Sequence, residues 1–353
     1  MFTSSNTKMR IKQTISTLGI TDYTLNSELA ATRTPKAGDV GLFQVLEVDR
    51  HSSMQCIDKR SHSIFDGDYI LAVFGNRYAT SQYEGYVPNE PLDVYHIIGA
   101  GGVIGIVRTK NAAWEDYEPT TVKLVGYCCD EEGQVFNTLF HNKTRASFTG
   151  LVPNNAKIIL SIGSTMDSGK TTTAAHIARG LKTTGKQVAF MKLTGTVYTK
   201  DVDYVVDCGA DIGVDFSHMG FPSTYLIDKP VILDIYQSLL NQLGESKPDY
   251  IVMEIADGLF QRETAMLLSD KDFMSTIHNV VFSCGDSLSV MAGLQVLHSW
   301  KIEPCMVSGR FTMSPLLITE VKDRMNVPVH TIDEIMTGEL NVIFDRKTVP
   351  VES

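Results

Sequence analysis

Residues 157–173 read KIILSIGSTMDSGKTTT, and this stretch decides the fold of the C-terminal half. Its first seven residues are mostly apolar, which is typical of a strand buried on both faces. Gly163 and Gly169 enclose a polar loop, and a helical pattern follows it. A glycine-rich loop that opens a helix directs main-chain N–H groups and the positive end of the helix dipole at one point. The stretch therefore predicts a phosphate-binding loop.

The residue types of this loop indicate a nucleotide and its metal. Lys170 is predicted to reach the β- and γ-phosphates, and the Thr171 hydroxyl to bind Mg²⁺. The alternative, an accidental glycine turn, explains neither the strand before the loop nor the helix after it. The residues predicted to hold the nucleotide within the loop are Gly163, Ser164, Thr165, Asp167, Ser168, Gly169, Lys170, Thr171 and Thr172.

Strands and helices alternate through the rest of the C-terminal half. Apolar runs occur at QVAFMKL, YIVMEI, NVVFSC, PCMVSG and VPVHTI, and amphipathic helical patterns separate most of them. Such alternation predicts an α/β domain with a mostly parallel sheet and helices on both faces. We assign this domain to residues 151–353.

The N-terminal part has a different texture. Between residues 38 and 138, short β-rich runs such as VGLFQVLEV and DYILAVFG are separated by glycine, proline and asparagine clusters. This pattern predicts a small, mostly antiparallel barrel or sandwich. We assign it to residues 1–150, with the polar stretch FHNKTRASFTGLVPNN as the linker.

A carboxylate follows one of the buried strands. Glu254 lies at the end of YIVMEIADG, and the carboxyl ends of parallel strands meet where such sheets bind ligands. Mg²⁺ takes a few carboxylates together with phosphate oxygens and water. We therefore predict Glu254 to be a metal ligand, with a helix N-cap or a surface charge as the alternative.

The spacing of the loop narrows the family. Five residues separate Gly163 from Gly169, where the commonest pattern has four. The longer loop resembles GT(D/S)xxxGK[ST] of dethiobiotin synthetase and of the cobyrinic and cobyric acid synthases. The chain departs from it at Ser164, where the family has threonine, and EIADG lacks the family's paired glycines.

This resemblance implies further site residues. It places a lysine at the end of the second strand, here Lys192, and a magnesium ligand in the next helical segment, here Asp201 or Asp203. A solvated first helical turn is the alternative for the two aspartates. Arg310 stands where relatives contact the base, and relatives with this domain form homodimers around the acceptor.

The function implied is that of an ATP- and Mg²⁺-dependent enzyme that phosphorylates a small carboxylate, with Lys170, Lys192 and Glu254 as catalytic residues. The guanine signature NKxD is absent from SCGDS and VSGR, which favours ATP over GTP. Two other functions stay open: a polynucleotide 5′-kinase with an N-terminal β domain, and an ATP-driven switch or scaffold whose hydrolysis gates a partner held by the N-terminal barrel.

Composition restricts the partners. A formal net charge of −10 disfavours a broad nucleic-acid or membrane surface. No apolar run has the length of a bilayer span, and the first residues lack a secretory pattern. Six scattered cysteines without a CxxC pair favour reduced thiols in a cytoplasmic protein. The expected ligands are a nucleotide and a small molecule.

One more loop carries polar groups. VDFSHMGFPSTY contains Asp215, Ser217, His218 and Ser223 near the predicted sheet edge. It is either a substrate-facing loop or an ordinary connection.

Overall fold

A computed structural model describes residues 11–140 and 144–347, which form two compact units. The first unit contains the described residues up to 140 together with two later segments, Thr196–Tyr198 and Gly220–Ser223. The second unit contains the remaining described residues.

The first unit is built from short strands. They are β1 (Ile11–Gln13), β2 (Thr24–Asn26), β3 (Val40–Glu47), β4 (Ser53–Gln55), β5 (Ser61–Ser63), β6 (Tyr69–Phe74), β7 (Arg77–Tyr78), β8 (Tyr83–Tyr86), β9 (Tyr95–Gly99), β10 (Val103–Lys110) and β11 (Thr121–Cys129), with one short helix, α1 (Leu29–Thr32). Strands β6, β3, β11, β9 and β10 pair in that order, and β10 pairs back onto β6. This closed ring makes the unit a barrel, the first of the two architectures that the sequence leaves open.

Large aromatic side chains fill the barrel. Phe43 and Phe74 are fully buried with ring centroids 5.3 Å apart, and Tyr95 lies 5.2 Å from Phe74, all in edge-to-face arrangements. Aromatic residues suit a pleated, half-buried surface, and edge-to-face pairs add to the free energy gained by burial. The β-rich runs of the N-terminal sequence thus form strands around a buried hydrophobic core.

The two later segments complete this unit. Val197 is 1% exposed and packs in a cluster with Ile15, Ile98 and Val103. Its N–H donates to the Pro222 carbonyl at 2.9 Å, so the two segments pair with each other. A Cβ at Gly101 would lie 2.0 Å from the Val197 carbonyl oxygen, and the close approach therefore needs glycine.

The second unit has one wholly parallel sheet. Its strands are β12 (Lys157–Gly163), β13 (Val188–Lys192), β14 (Ile212–Asp215), β15 (Tyr250–Glu254), β16 (Asn279–Ser283) and β17 (Met306–Ser308), in the order β14-β13-β15-β12-β16-β17. The helices are α2 (Lys170–Thr183), α3 (Lys200–Asp207), α4 (Lys229–Gly244), α5 (Arg262–Leu268), α6 (Lys271–Ser275), α7 (Ser287–Ser299), α8 (Pro315–Lys322), α9 (Ile332–Met336) and α10 (Asn341–Phe344). The predicted α/β fold beside a separate β-rich region is confirmed.

Two elements differ from the prediction. VPVHTI is not a strand but meets β17 in a single bridge, Val329 to Val307. Pro328 has no N–H to donate to a ladder, which limits the pairing there. Conversely, β14 is a strand that the sequence did not signal, because its four residues include a glycine and form no apolar run.

The described part of the stretch predicted as a linker lies along α4. Main-chain N–H groups of Ala146 and Phe148 donate to Ser238 Oγ and Asp234 Oδ1, each at 2.9 Å. Residues 141–143 of that stretch lie outside the described residues. Among the residues that the structure describes, none of the helices has the length and apolar character needed to cross a membrane.

Candidate nucleotide site

The predicted phosphate-binding loop connects β12, which ends at Gly163, to α2, which begins at Lys170. Asp167 and Gly169 adopt left-handed conformations, with φ of 62° and 100°, and these turn the chain within the loop. A Cβ at Gly163 would lie 2.1 Å from Ser168 Oγ. The two glycines of the motif are therefore required by close approach and by backbone conformation respectively.

Lys170 folds back over its own loop. Its side chain is buried, and Nζ donates to the Thr165 carbonyl at 2.8 Å. Burial lowers the pKa of Lys170, whereas the nearby carboxylates Glu254 and Asp257 act in the opposite direction. An ammonium group held in this way lies over the loop, where a phosphate could take the place of the carbonyl.

Glu254 and Thr171 meet beside the loop. The Thr171 hydroxyl donates to Glu254 Oε1 at 3.2 Å, while Oε2 is buried and has no hydrogen-bond partner within the described residues. Burial raises the pKa of Glu254, and the charges of Lys192 and Lys170 partly offset this effect. A buried carboxylate oxygen without a protein partner can be satisfied by a water molecule or an ion. These two residues fit Mg²⁺, which prefers oxygen ligands.

The protein supplies only part of such a metal shell. Over residues 11–140 and 144–347, no three His, Cys, Asp or Glu side chains are grouped so as to hold a metal ion. Mg²⁺ usually binds through one or two carboxylates and completes its shell with substrate phosphates and water. A metal at Glu254 would thus depend on the bound nucleotide.

Four polar residues form one line across the sheet, which we call the polar row: Ser161, Glu254, Lys192 and Asp215. Ser161 pairs in register with Glu254, Glu254 with Lys192, and Lys192 with Asp215, on the adjacent strands β12, β15, β13 and β14. Ser161 Oγ donates to the Lys170 carbonyl at 3.2 Å, which places this end of the row beneath the start of α2.

Lys192 is surrounded by carboxylates. Its ammonium group donates to Asp201 of α3, and the side chain is largely buried. Burial alone would lower the pKa of Lys192, but Asp201, Glu254 and Asp215 together raise it well above its ordinary value. The lysine is therefore held in its charged form in the middle of the row.

The two aspartates predicted as metal ligands occupy different places. Asp201 reaches the polar row through Lys192. Asp203 accepts a hydrogen bond of 2.6 Å from the Thr199 hydroxyl at the start of α3. Both lie in the first turn of the helix, where negative charge complements the helix dipole.

Arg310 lies next to the loop on its other side. Its main-chain N–H donates to the Ser168 carbonyl at 3.1 Å. The residue lines a cavity of about 80 Å³ whose other lining residues are Gly169, Thr172, Thr173, Gly309, Met313 and Ile332. Arg310 and Thr172, both predicted to contact the nucleotide, are thus brought together. Met313 and Ile332 carried no signal in the sequence.

The turn after β15 also packs against the loop. A Cβ at Gly258 would lie 2.5 Å from the Ser164 carbonyl oxygen and 2.8 Å from Thr165 Cα. Thr194 Oγ1, just after β13, accepts a hydrogen bond of 2.9 Å from the Ala256 N–H. The end of β13, the turn after Glu254 and the phosphate-binding loop are consequently in direct contact.

We expect Gly258→Ala to weaken nucleotide binding about tenfold or more, because the added methyl group would displace the loop backbone, and about 1.4 kcal/mol corresponds to a factor of ten. Titration with a fluorescent ATP analogue measures the affinity. Gly285→Ala is the matched control, since nothing lies within 4 Å of a Cβ at Gly285. Equal affinities for the two variants would contradict the packing described for Gly258.

No described protein family and no curated protein matches the chain. Among solved structures it is similar to the signal recognition particle receptor FtsY from Elizabethkingia anophelis, with 17% identity, coverage of 59% of this chain and 69% of that chain, and a TM-score of 0.32. It is also similar to the hydrogenase maturation factor HypB from Archaeoglobus fulgidus, with 10% identity, coverage of 54% of this chain and 91% of that chain, and a TM-score of 0.36. A third similar structure is a ParA family ATPase from Chlorobium tepidum, with 15% identity, coverage of 54% of this chain and 97% of that chain, and a TM-score of 0.33. Because these identities and TM-scores are low, the similarities do not assign a function to this chain. The proposed function therefore rests on the residues of the site.

Proposed function

We propose that the chain is a Mg²⁺-dependent nucleoside triphosphatase, with ATP as its nucleotide, whose hydrolytic cycle acts as a switch. The observation that carries the proposal is Glu254. One of its oxygens contacts the Thr171 hydroxyl, and the other is buried beside the phosphate-binding loop without a hydrogen-bond partner in the part of the chain that the structure describes. This arrangement suits a metal that arrives together with a triphosphate.

The residues of the chain divide the work as follows. Loop N–H groups and Lys170 hold the phosphates, and Lys192 compensates negative charge that develops at the γ-phosphate. Thr171 and Glu254 would hold Mg²⁺, which when bound neutralises phosphate charge. Asp201 keeps Lys192 oriented until the nucleotide competes for it.

The charges around Lys192 favour hydrolysis over phosphorylation of a carboxylate. Asp201, Glu254 and Asp215 all act on this lysine, so a carboxylate acceptor would approach three groups of its own sign. Phosphorylation of a small carboxylate remains the second candidate. Lys192 lies at the carboxyl end of β13, and its ammonium group would attract such an acceptor if the ion pair with Asp201 opened.

A switch also needs a route out of the site. Gly195, three residues after Lys192, exchanges hydrogen bonds with Thr224, since the Gly195 N–H donates to Thr224 Oγ1 and the Thr224 N–H donates to the Gly195 carbonyl, each at 2.9 Å. From these residues the chain continues into Thr196–Tyr198 and back from Gly220–Ser223, both part of the barrel unit. A shift at the polar row would reach both segments through the backbone.

We expect amide hydrogen exchange in residues 193–198 and 216–224 to differ between the ADP-bound protein and the protein bound to a non-hydrolysable ATP analogue with Mg²⁺. The physical reason is that the γ-phosphate contacts Lys192 in only one of these states. Lys170→Ala should show no nucleotide-dependent difference. Identical exchange in both states of the wild type would refute the switch.

Hydrolysis assays separate the alternatives. Phosphate release with Mg²⁺–ATP alone supports the proposed function. A phosphorylated product formed only with a carboxylate metabolite would instead support the second candidate. Transfer of γ-phosphate to the 5′-hydroxyl end of an oligonucleotide at low salt would establish the polynucleotide kinase, for which the net charge of −10 offers little electrostatic support.

A further inference from the structure

Lys192 binds a carboxylate that does not belong to the polar row. Its ammonium group donates a hydrogen bond to Oδ2 of Asp201, which lies in the first turn of α3. The ion pair joins the carboxyl end of β13 to the helix that follows it in the chain. This contact can therefore open without breaking any strand pairing of the sheet.

The two partners of this ion pair differ in their access to water. The side chain of Lys192 is 11% exposed, whereas that of Asp201 is 34% exposed. A buried ammonium group needs an anionic partner, because a charge removed from water without one is strongly unfavourable. A carboxylate that is one third exposed can be hydrated when it loses its partner. Asp201 is consequently the side of the pair that a competing anion can replace.

The carboxylates on the two neighbouring strands are held by other groups. Glu254 Oε1 accepts a hydrogen bond of 3.2 Å from the Thr171 hydroxyl. Asp215 Oδ1 accepts one of 2.9 Å from the Ser217 N–H. Both residues pair with Lys192 in the register of the sheet, so their negative charges act on the lysine whether or not a nucleotide is bound.

Lys192 lies close to the phosphate-binding loop. Strand β13 is separated from β12 by β15 alone, so roughly 10 Å lie between the two strands. A Cβ at Gly195 would lie 3.3 Å from Lys192 Cε and 3.5 Å from Ala256 Cβ, which places the lysine beside the turn that packs against the loop. Burial lowers the pKa of Lys170, and the charge of Lys192 acts in the same direction, so the two ammonium groups influence each other. Both would attract a triphosphate held by the loop.

We propose that Asp201 and the γ-phosphate of ATP compete for Lys192. The ion pair opens when the triphosphate binds and forms again after hydrolysis, which makes it the contact that links the nucleotide state to α3. ADP has no γ-phosphate and leaves the pair closed. This inference rests on the proposed function, in which Lys192 faces the γ-phosphate. It makes Asp201 a positioning residue, a different task from the metal ligand that the sequence resemblance implies.

Equilibrium binding tests the competition. We expect Asp201→Asn to bind a non-hydrolysable ATP analogue with Mg²⁺ about tenfold more tightly than the wild type, because no ion pair has to open; tenfold corresponds to about 1.4 kcal/mol. The affinity for ADP should change less than about twofold, because a partly exposed charge without direct contact to the ligand is screened by water and salt. Isothermal titration calorimetry measures both affinities. Asp201→Ala should show the same gain, which excludes a new hydrogen bond from the asparagine amide.

Asp207→Asn is the matched control. It removes the same charge from an exposed position at the end of the same helix, and it should change both affinities less than about twofold. A metal ligand would behave in the opposite way to the competitor that we propose. If Asp201→Asn weakened the binding of the Mg²⁺–analogue, the inference would be overturned.

Lys192→Met separates competition from a structural effect of Asp201. Methionine keeps an unbranched apolar side chain but lacks the charge, so the analogue should bind about tenfold more weakly, again about 1.4 kcal/mol. In the double variant, Asp201→Asn should no longer tighten the binding of the analogue, because there is no lysine to compete for. An equal gain in both backgrounds would show that Asp201 acts without Lys192, and this result would also overturn the inference.

The outcomes distinguish this inference from the proposed function. Unchanged analogue affinity in Asp201→Asn would overturn the inference, while Mg²⁺-dependent hydrolysis by the wild type would still support the proposed function. Tighter binding by Asp201→Asn without hydrolysis by the wild type would overturn the proposed function and leave the competition for Lys192 as a property of nucleotide binding.

Discussion

Replacing Lys170 by alanine is expected to weaken Mg²⁺–ATP binding at least about 100-fold, because charge-assisted hydrogen bonds contribute roughly 1.5–3 kcal/mol each and this ammonium lies over the loop. The native hydrogen bond that is lost is the one to the Thr165 carbonyl. Isothermal titration calorimetry on the folded variant measures the affinity, and circular dichroism checks the fold.

Lys157→Ala is the control for this variant. Lys157 opens the same strand, β12, but its ammonium binds Asp345 at 2.8 Å, at the opposite end of the strand from the loop. Its loss should leave nucleotide affinity unchanged. If Lys170→Ala binds Mg²⁺–ATP as tightly as Lys157→Ala does, residues 163–171 are not a phosphate-binding loop.

Replacing Glu254 by glutamine is expected to lower Mg²⁺-dependent turnover about 100-fold or more, in the range seen when one electrostatic group of a transition state is removed. The affinity for nucleotide without metal should hardly change, since loop N–H groups and Lys170 provide it. The half-saturating Mg²⁺ concentration should rise, because a neutral amide is a poorer ligand for a hard cation.

Titration of hydrolysis with Mg²⁺ gives both quantities. Glu303→Gln, an exposed carboxylate of the same unit, is the matched control. Unaltered turnover and unaltered Mg²⁺ dependence in Glu254→Gln would show that the metal is held elsewhere, with Asp201 the next residue to replace.

The local part of the site could be predicted from the sequence. Lys170 and Thr171 follow a glycine within a continuous strand, loop and helix, so their positions are fixed by neighbours in the chain. Glu254 was predicted for a similar reason, because a buried parallel strand must end at the sheet edge where ligands bind. Here the chemistry depends on short-range geometry, which residue types reveal.

The sequence placed Asp215 in a polar loop near the sheet edge, but the register that aligns it with Lys192 could not be predicted. Asp215 joins the polar row only because β14 pairs with β13 so that Lys192 lies opposite it. A strand of four residues with a glycine leaves no periodic signal. Ring closure in the barrel has the same origin, since the parallel pairing of β10 with β6 is long-range and involves two residue pairs.

Thr196–Tyr198 and Gly220–Ser223 have a consequence for evolution and for dissection of the gene. A cut near residue 143 would separate most of the barrel from the nucleotide-binding half, but it would leave Ile15, Ile98 and Val103 without Val197, which is buried among them. Each fragment would therefore expose apolar side chains that are buried in the intact chain. The two halves therefore cannot be exchanged independently of each other. Recombination between relatives at this boundary would be tolerated only if the residues at 196–198 and 220–223 of one half matched the barrel residues of the other.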